Sequence, residues 1–550
     1  MKSKLFTLIK DEVYESTLIK EASFNSQEKE TTWIFDFKCQ GLSKVFLQEY
    51  SQHFWDIFEN KYGTKIQIGG METGAISLVT GVALLAPENV TVSSFYIRKS
   101  RKKSDLANLV EGELKKDIPL ILVDDILNGG TTINKQAVIL EGMGYKVSAV
   151  FVCLRFRDIS YYKDLTDKGI EIFSIFELND FSNVLPVKNL VTETALPVVR
   201  KFSVEYKVIL TKKPNLYTVI AKSAPILCGE YIYMAVDDGT FFCLTAKDGV
   251  TVWKYKVYFG AKGKRIFSSP QIYKDSIIFG AYDGNVYCLN RFTGKREWIF
   301  SDADWVGSSP CINEQDGIVY IGLEFGLPQK KGGVVAIDIQ TGKAIWKNYE
   351  MTGYTHATPA YSRKYNLVVC GCNDHYVYGF NAKNGSIIWK FKTEGEFKSS
   401  AVFDEKRSVV IIAGMDGGVY VLNTKNGELH HKFEARFGFY STALVRDGLI
   451  FIGSLDKVIY CFNIDEKVAK WIFETNGRIF SSPVISENSL FIGSNDGMVY
   501  ELNVNTGKCI NTLQFGERIV NKIQVEVPTN KKRILYVPTH VGELYKVVEL

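Results

Sequence analysis

The sequence lacks the features that mark membrane proteins, disulfide-rich secreted proteins and zinc proteins. None of its 550 residues falls in an apolar run long enough to cross a bilayer, so no transmembrane helix is predicted. The ten cysteines are scattered, no pair of CxxC motifs occurs, and there are only six histidines. The apolar patch at residues 5–9 is followed at once by acidic residues, so we expect no signal peptide. These observations predict a cytoplasmic protein with buried, reduced cysteines.

The sequence also lacks a large excess of either positive or negative charge. The 66 basic and 61 acidic side chains leave a net charge of +5, and 46% of the residues are hydrophobic. This composition is ordinary for globular domains and too weakly basic to predict nucleic-acid binding. The exception is a basic cluster at residues 98–103. At 550 residues, the chain is long enough to form more than one domain.

One stretch in the N-terminal part combines an apolar run, two acids and a glycine turn. Residues 118–132 read IPLILVDDILNGGTT, which predicts a buried parallel strand over 118–123 with Asp124 and Asp125 at its end. A helix follows the loop, and residues 147–154 predict another strand. Such a loop lies where open α/β sheets bind ligands, and its glycines, hydroxyls and helix N-terminus suit a phosphate. Because carboxylates accept hydrogen bonds from ribose hydroxyls or bind Mg²⁺, we predict a sugar-phosphate site.

The stretch VDDILNGGTT resembles the phosphoribosyl-diphosphate (PRPP) motif of type I phosphoribosyltransferases. The resemblance covers residues 60–180 and implies a parallel-sheet α/β fold. It implies that Asp124 and Asp125 are catalytic, holding the ribose hydroxyls and, through water, Mg²⁺. It further implies a 5′-phosphate site made by Asn128, Gly129, Gly130, Thr131 and Thr132.

A second strand–loop–helix unit precedes this one. GGMETGAISLVTGVAL, residues 69–84, is similar to the diphosphate loop of orotate phosphoribosyltransferases, although Ser77 replaces their usual proline. The similarity assigns diphosphate binding to Met71, Glu72, Thr73 and Gly74. Both loops are expected at the same edge of one sheet.

The basic cluster resembles the Arg-Lys pair and mobile lid of the orotate enzymes. Arg98 and Lys99 match the pair and are implied to bind PRPP, and Lys102 matches the catalytic lid lysine. Cations there would stabilise the departing diphosphate. The lid histidine of those enzymes is absent, since Ser104 or a neighbour stands in its place. Arg155 matches an arginine that contacts the acceptor base, in surroundings that differ from the family's.

From Ala224 onward, a unit repeats at a period of about 40–48 residues, which is typical of propellers. Each unit contains a small-small-Pro step, an Asp-Gly hairpin, a Thr-Gly turn and a tryptophan strand. The tryptophans are Trp253, Trp298, Trp346, Trp389 and Trp471, with His431 and Asn511 at the equivalent place in two copies. We interpret them as packing between blades.

Seven complete units are visible, and residues 534–550 supply a partial eighth. Residues 202–210 are a candidate for its missing strand, which would close the ring and remove its edges. We therefore predict eight blades, with seven as the alternative. The unit resembles the tryptophan repeat of pyrroloquinoline quinone (PQQ) dehydrogenases and related non-enzymatic propellers. Those quinone enzymes are secreted and often use adjacent cysteines, which this chain lacks, so we expect a surface that binds a protein partner.

The prediction is therefore a phosphoribosyltransferase-like domain over 1–190, a linker over 191–205 and a PQQ-like propeller over 206–550. The first hypothesis is a Mg²⁺-dependent enzyme that moves the phosphoribosyl group of PRPP onto a nitrogenous base, with the propeller as a recognition or regulatory domain. The alternative is a non-catalytic sensor of PRPP or a nucleotide, coupled to a protein-binding propeller. The orotate-type resemblance also implies a homodimer.

Overall fold

In a computed structural model, the chain divides into two compact units: Met1–Leu196 with Gln514–Gly516, and Pro197–Leu513 with Glu517–Leu550. The structure describes residues 13–15, 33–35, 43–72, 74–98, 109–181, 202–211, 223–257, 265–326, 330–528 and 532–550. No helix in these ranges is long and apolar enough to cross a membrane.

The first unit is built around one sheet. Strands β1 (Val13–Glu15) and β2 (Trp33–Phe35) form a separate antiparallel ribbon. The strands of the main sheet are β3 Lys65–Met71, β4 Thr91–Ile97, β5 Val110–Gly112, β6 Leu120–Leu127, β7 Val147–Arg155 and β8 Glu171–Glu177. The helices are α1 Lys44–Phe58, α2 Gly74–Leu84, α3 Thr131–Gly142 and α4 Lys163–Thr166, with short 3-10 turns at Ile159–Tyr162 and Leu178–Phe181. The strand order is β5-β4-β3-β6-β7-β8, and all neighbours are parallel except β5 and β4.

Both faces of this sheet are covered. On one face, the buried aromatic side chains of α1 pack against β7; they are Phe46, Tyr50, Phe54 and Phe58. On the other face, Ile133, Ala137 and Leu140 of α3 join a second apolar cluster. A strand covered on both faces needs apolar side chains at successive positions, which explains the continuous apolar runs of β6 and β7.

Strand β6 continues beyond the end that the sequence predicts. The prediction placed both acids after the strand, but β6 runs to Leu127 and includes Asp124 and Asp125. The strand extends because its backbone still pairs with β7, where Asp124 lies opposite Val152 and Leu127 lies opposite Arg155. The acids therefore sit on regular strand backbone, and only residues 128–130 form the loop.

The second unit consists of eight four-stranded antiparallel sheets among the described residues. Blade 1 contains β10 Ile226–Cys228, β11 Tyr231–Ala235, β12 Thr240–Thr245 and β13 Thr251–Lys256, and blade 2 contains β14 Gln271–Tyr273, β15 Ser276–Gly280, β16 Asn285–Asn290 and β17 Arg296–Ser301. Blade 3 contains β18 Cys311–Asn313, β19 Ile318–Phe325, β20 Lys331–Asp338 and β21 Ala344–Met351, and blade 4 contains β22 Ala360–Ser362, β23 Leu367–Gly371, β24 Tyr376–Asn381 and β25 Ile387–Lys392. Blade 5 contains β26 Val402–Asp404, β27 Val409–Ala413, β28 Gly418–Asn423 and β29 Leu429–Glu434, and blade 6 contains β30 Leu444–Arg446, β31 Leu449–Gly453, β32 Val458–Asn463 and β33 Val468–Glu474. Blade 7 contains β34 Val484–Ser486, β35 Ser489–Gly493, β36 Met498–Asn503 and β37 Cys509–Gln514.

Blade 8 combines the two ends of the propeller. It contains β38 Gln524–Glu526, β39 Ile534–Pro538, β40 Glu543–Glu549 and, on its outer edge, β9 Phe202–Ile209. The prediction of eight blades and of closure by residues 202–210 is confirmed, and the seven-blade alternative is wrong. Strand β9 begins at Phe202, inside the stretch 191–205 predicted as a linker, because β40 needs a partner for its outer edge. The first strands of the blades surround the axis of the propeller, and neighbouring ones are in contact from β14 to β30 and between β34 and β38.

The tryptophans of the repeat join neighbouring blades, as predicted. Trp253 in blade 1 donates its indole N–H to the carbonyl of Arg291 in blade 2, at 3.0 Å. Its ring lies against Gly294, where an added Cβ would approach the ring to 2.6 Å and where φ is +67°. The same bond occurs from Trp298 to Ile339, Trp346 to Ala382, Trp389 to Thr424 and Trp471 to Val504.

Tyr206 on β9 takes the tryptophan's place at the joint between blades 8 and 1. Its hydroxyl donates to the carbonyl of Ala246 at 3.3 Å, the position that corresponds to Arg291 in the next blade. A Cβ on Gly249 would approach Val208 to 2.5 Å and the Tyr206 ring to 2.8 Å. The repeat pattern does not reveal Tyr206, because it is separated from its repeat partners by most of the chain.

We predict that Tyr206→Ala lowers the free energy of unfolding of the propeller by about 2 kcal/mol, because it empties the joint at which the ring closes. Val204→Ala is the matched control, since Val204 lies on the same strand and is 56% exposed. Urea denaturation followed by tryptophan fluorescence measures both variants. Equal stability of the two variants would show that the ring does not depend on this joint.

Candidate functional site

The structure places two of the predicted loops side by side. Strands β3 and β6 are parallel neighbours, with Gly69 opposite Leu122, so Met71 and Asp124 lie level at the carboxyl edge. Strand β4 flanks β3 on the other side and ends at Ile97, opposite Met71. The edge between β4 and β6 therefore brings together the turn after β3, the acid pair of β6 and the start of the basic cluster.

Asp124 and Asp125 are partly exposed on β6. One oxygen of each carboxylate accepts the next backbone N–H, from Asp125 at 3.1 Å and from Ile126 at 2.7 Å. These bonds hold the two carboxylates in defined positions. Two carboxylates suit Mg²⁺, which usually binds one or two protein carboxylates together with substrate phosphates.

Tyr50 holds the backbone of the acid pair from the buried side of β6. This role is not evident from the sequence. It is fully buried, and its hydroxyl is a donor to the carbonyls of Asp124 and Phe151, at 3.1 and 3.2 Å. Burial, and then the neighbouring Cys153 and the two acids, raise the pKa of Tyr50 well above its ordinary value. Burial, with the charge of Asp125, likewise raises the pKa of the Cys153 thiol. Both groups therefore stay neutral beneath the carboxylates at physiological pH.

The loop after β6 is held at one end by Tyr162. The Tyr162 hydroxyl is a donor to the carbonyls of Leu127 and Asn128, at 2.9 and 2.8 Å, and lies under the loop. Gly130, with φ +75°, begins α3 without a side-chain cap, so the first N–H groups of the helix are open to a ligand. A Cβ on Gly129 would meet no atom within 4 Å, and Thr132 is exposed. Thr131 is the first residue of α3, but its side chain lies outside the described part of the structure.

The turn after β3 is packed tightly against β6. A Cβ on Gly70 would approach the Ala75 Cβ to 2.3 Å and the Val123 carbonyl oxygen to 2.5 Å, so only glycine fits. Met71 is buried and Glu72 is partly buried, while Gly74 begins α2 with open space around it. Thr73 lies outside the described residues.

Arg98 joins β4 and β5 to the turn after β3. Its guanidinium donates to Glu111 at 2.9 Å and lies 3.6 Å from the Glu72 carboxylate. The hydrogen bond with Glu111 is the main cause that raises the pKa of Arg98 above its ordinary value. Glu111 lies on β5. Lys99 and Lys102 lie outside the described residues.

Arg155 ends β7 with its side chain largely buried. Its guanidinium donates to the carboxylate of Glu177 and to the carbonyl of Arg157. These contacts join the ends of β7 and β8 and hold the side chain in place. Acceptor binding by Arg155 stays a prediction. Among the described residues there is no group of three or more His, Cys, Asp or Glu side chains arranged to hold a metal ion.

Comparison with known proteins decides the family of the propeller. The family model described as outer membrane protein assembly factor BamB matches residues 213–360 and 373–546. The chain belongs to this family. Its eight blades are thus BamB-type repeats, related to the PQQ-like propellers that the tryptophan pattern indicates.

Two curated relatives are each similar to about a third of this BamB-family chain. The outer membrane protein assembly factor BamB of Francisella salina is 23% identical over 181 residues, which is 32% of this chain and 32% of that protein. The orotate phosphoribosyltransferase of Methanosphaera stadtmanae is 23% identical over 185 residues, which is 34% of this chain and 98% of that protein. The chain thus spans only a third of its BamB relative. Among solved structures, a europium-containing methanol dehydrogenase is similar with a TM-score of 0.54 and 14% identity, covering 64% of this chain and 95% of that one. At this identity the likeness shows the fold alone.

We predict that Gly70→Ala destabilises the N-terminal unit by about 1–3 kcal/mol, because the new methyl group overlaps the Val123 carbonyl and Ala75. Gly74→Ala, at an open position in the same stretch, serves as the control and should leave stability almost unchanged. Thermal unfolding followed by circular dichroism compares the two. A tolerated Gly70→Ala would contradict the tight packing of this turn against β6.

Proposed function

We propose that the N-terminal unit is a Mg²⁺-dependent phosphoribosyltransferase that takes PRPP and a nitrogenous base, with the propeller as its recognition or regulatory domain. One observation carries the proposal: the Asp124–Asp125 pair leads directly into an open glycine loop and a helix N-terminus. The turn after β3 lies beside it at the same sheet edge. In this proposal the edge takes a ribose, a 5′-phosphate and a diphosphate at separate places. The parallel sheet and the similarity to an orotate phosphoribosyltransferase support a phosphoribosyltransferase fold for this unit.

Each group on the edge suits one part of PRPP. Asp124 and Asp125 accept hydrogen bonds from the ribose hydroxyls, while residues 128–132 donate backbone and hydroxyl hydrogens to the 5′-phosphate. The turn from Met71 to Gly74 faces the diphosphate. Mg²⁺, when bound, would neutralise part of the diphosphate charge, and the acid pair supplies oxygens to hold it.

The reaction breaks the bond between ribose C1 and the diphosphate oxygen and forms a bond between C1 and the base nitrogen. The diphosphate leaves with the electron pair of the broken bond, so its negative charge grows as the bond stretches. Arg98, held between Glu111 and Glu72, places a cation at this edge. Lys99 and Lys102 are assigned the same task by their match to the orotate enzymes. Positioned cations lower the energy of a transition state in which such charge develops.

Asp125→Asn should reduce diphosphate release from PRPP by roughly 100-fold or more, because it removes a charge that orients both ribose and metal. The assay mixes the full chain with PRPP, Mg²⁺ and a panel of bases that includes orotate. Asp164→Asn is the control, since Asp164 is exposed on α4. Release that persists unchanged in Asp125→Asn would remove the acid pair from the mechanism.

A non-catalytic sensor is the second candidate, favoured by the missing lid histidine and by the internal contacts of Arg155. In this case PRPP or a nucleotide binds at the same edge, and the propeller passes the signal to a protein partner. Tight PRPP binding by calorimetry without diphosphate release for any base would select this candidate. We also propose a cytoplasmic homodimer, by analogy with the orotate enzymes that share a lid between subunits; light scattering of the full chain tests the dimer.

A further inference from the structure

A ring of small polar side chains surrounds the axis of the propeller. Each blade places one residue two positions before its innermost strand, at the second residue of the small-small-Pro step. The eight residues are Ala224, Ser269, Ser309, Thr358, Ser400, Thr442, Ser482 and Lys522. Six carry hydroxyl groups, one carries an ammonium group, and none carries a carboxylate.

Hydrogen bonds run from blade to blade around this ring. The N–H of Ala224 donates to the Ser269 Oγ at 2.9 Å, and the N–H of Ser269 donates to the Ser309 Oγ at 2.8 Å. The pattern continues from Ser309 to Thr358, from Ser400 to Thr442 and from Thr442 to Ser482. These bonds hold the side chains in one layer around the axis.

Five of the six ring hydroxyls, all but that of Ser400, are acceptors in these bonds. Among the described residues, none of the six hydroxyl groups donates its own proton to a protein acceptor. Each therefore retains one hydrogen-bond donor for a group that enters the axial channel. A layer of donors without carboxylates favours a ligand that is rich in acceptors.

The joint between blades 8 and 1 breaks the hydroxyl pattern. The link there is made by side-chain amides, from Asn521 to the Ser223 carbonyl at 3.1 Å and from Gln524 to the Pro225 carbonyl at 2.7 Å. Lys522 is therefore not needed for closure. Ser223 is fully buried, and its hydroxyl has no hydrogen-bond partner within the described part of the propeller.

Lys522 supplies the only charge of the ring. Its side chain is open to solvent and makes no hydrogen bond or ion pair with any described residue. Partial loss of hydration beside the surrounding protein lowers the pKa of its ammonium group below the ordinary value. An ammonium group that has no anionic partner among the described residues is stabilised by a negatively charged ligand.

We propose that the axial channel of the propeller binds a small phosphate-type oxyanion through Lys522 and the ring hydroxyls. A tetrahedral oxyanion offers several acceptor oxygens, which match hydroxyl donors arriving from several blades. Lysine binds phosphate as a compact point charge, with hydrogen bonds strengthened by the two opposite charges. This site is separate from the sheet edge of the N-terminal unit and does not depend on the function proposed for that edge.

Lysine footprinting on the full chain tests the proposal at the residue itself. The protein is acylated with and without inorganic phosphate, and peptide mass spectrometry measures the rate at each lysine. We expect phosphate to slow acylation of Lys522 at least fivefold and to leave Lys508, exposed in blade 7, unchanged. Sodium chloride at equal ionic strength should give no protection. Equal rates at Lys522 with and without phosphate, or equal protection by chloride, would overturn the proposal.

Calorimetry on variants identifies the donor and the source of the ligand. Lys522→Ser completes the hydroxyl ring without the charge and should weaken phosphate binding at least tenfold, whereas Lys522→Arg should retain it. Phosphate bound at the N-terminal loop would be equally present in both variants, so it cannot produce this difference. Ribose 5-phosphate and diphosphate, titrated separately, distinguish a sugar phosphate from an inorganic ion. Unchanged phosphate affinity in Lys522→Ser would remove Lys522 from the site.

Discussion

At six of the eight joints between blades, an aromatic side chain of one blade packs on a glycine turn of the next and donates a hydrogen bond to the carbonyl beside it. The Trp253 ring covers Gly294, where positive φ and the close approach of the ring both exclude other residues. This contact buries an aromatic surface and satisfies its N–H at once, which is the arrangement that a buried indole requires. Tryptophans make five of these contacts and Tyr206 makes the sixth, where the two ends of the propeller meet, while His431 and Asn511 stand at the equivalent place in the other two joints.

Because these joints hold the blades together, the side chains that surround the axis can differ from blade to blade. The outer part of each blade is committed to packing, so its residues repeat closely. The innermost layer is bonded from blade to blade mainly through backbone N–H groups and hydroxyls, which leaves side-chain protons unused. At the closing joint, Asn521 and Gln524 take over the bonding, and a lysine is accommodated in the ring. The side chains of this layer can therefore differ between blades where the backbone hydrogen bonds do not depend on them.

The N-terminal unit uses a different device to assemble a site. Parallel strands end at the same edge of the sheet, so loops that are far apart in the sequence become neighbours in space. Gly70 allows the turn after β3 to lie against Val123, and the Tyr50 hydroxyl holds the backbone carbonyl of Asp124. The acid pair is thus positioned by buried packing behind it, while its carboxylates remain partly exposed to a ligand.

The sequence by itself determined the two-part organisation, the strand–loop–helix units, the acid pair, the glycine loop and the repeat with its tryptophans. These features are local: apolar runs, turn residues and a fixed period are written within a few tens of residues. Only the tertiary structure decided that β6 continues through Asp124 and Asp125, because pairing with β7 maintains its strand backbone. It also decided the contacts of Arg155 with Glu177, the support of Asp124 by Tyr50 and the closure by Tyr206. Each of these joins residues distant in the chain, and their partners are chosen by packing rather than by any local pattern.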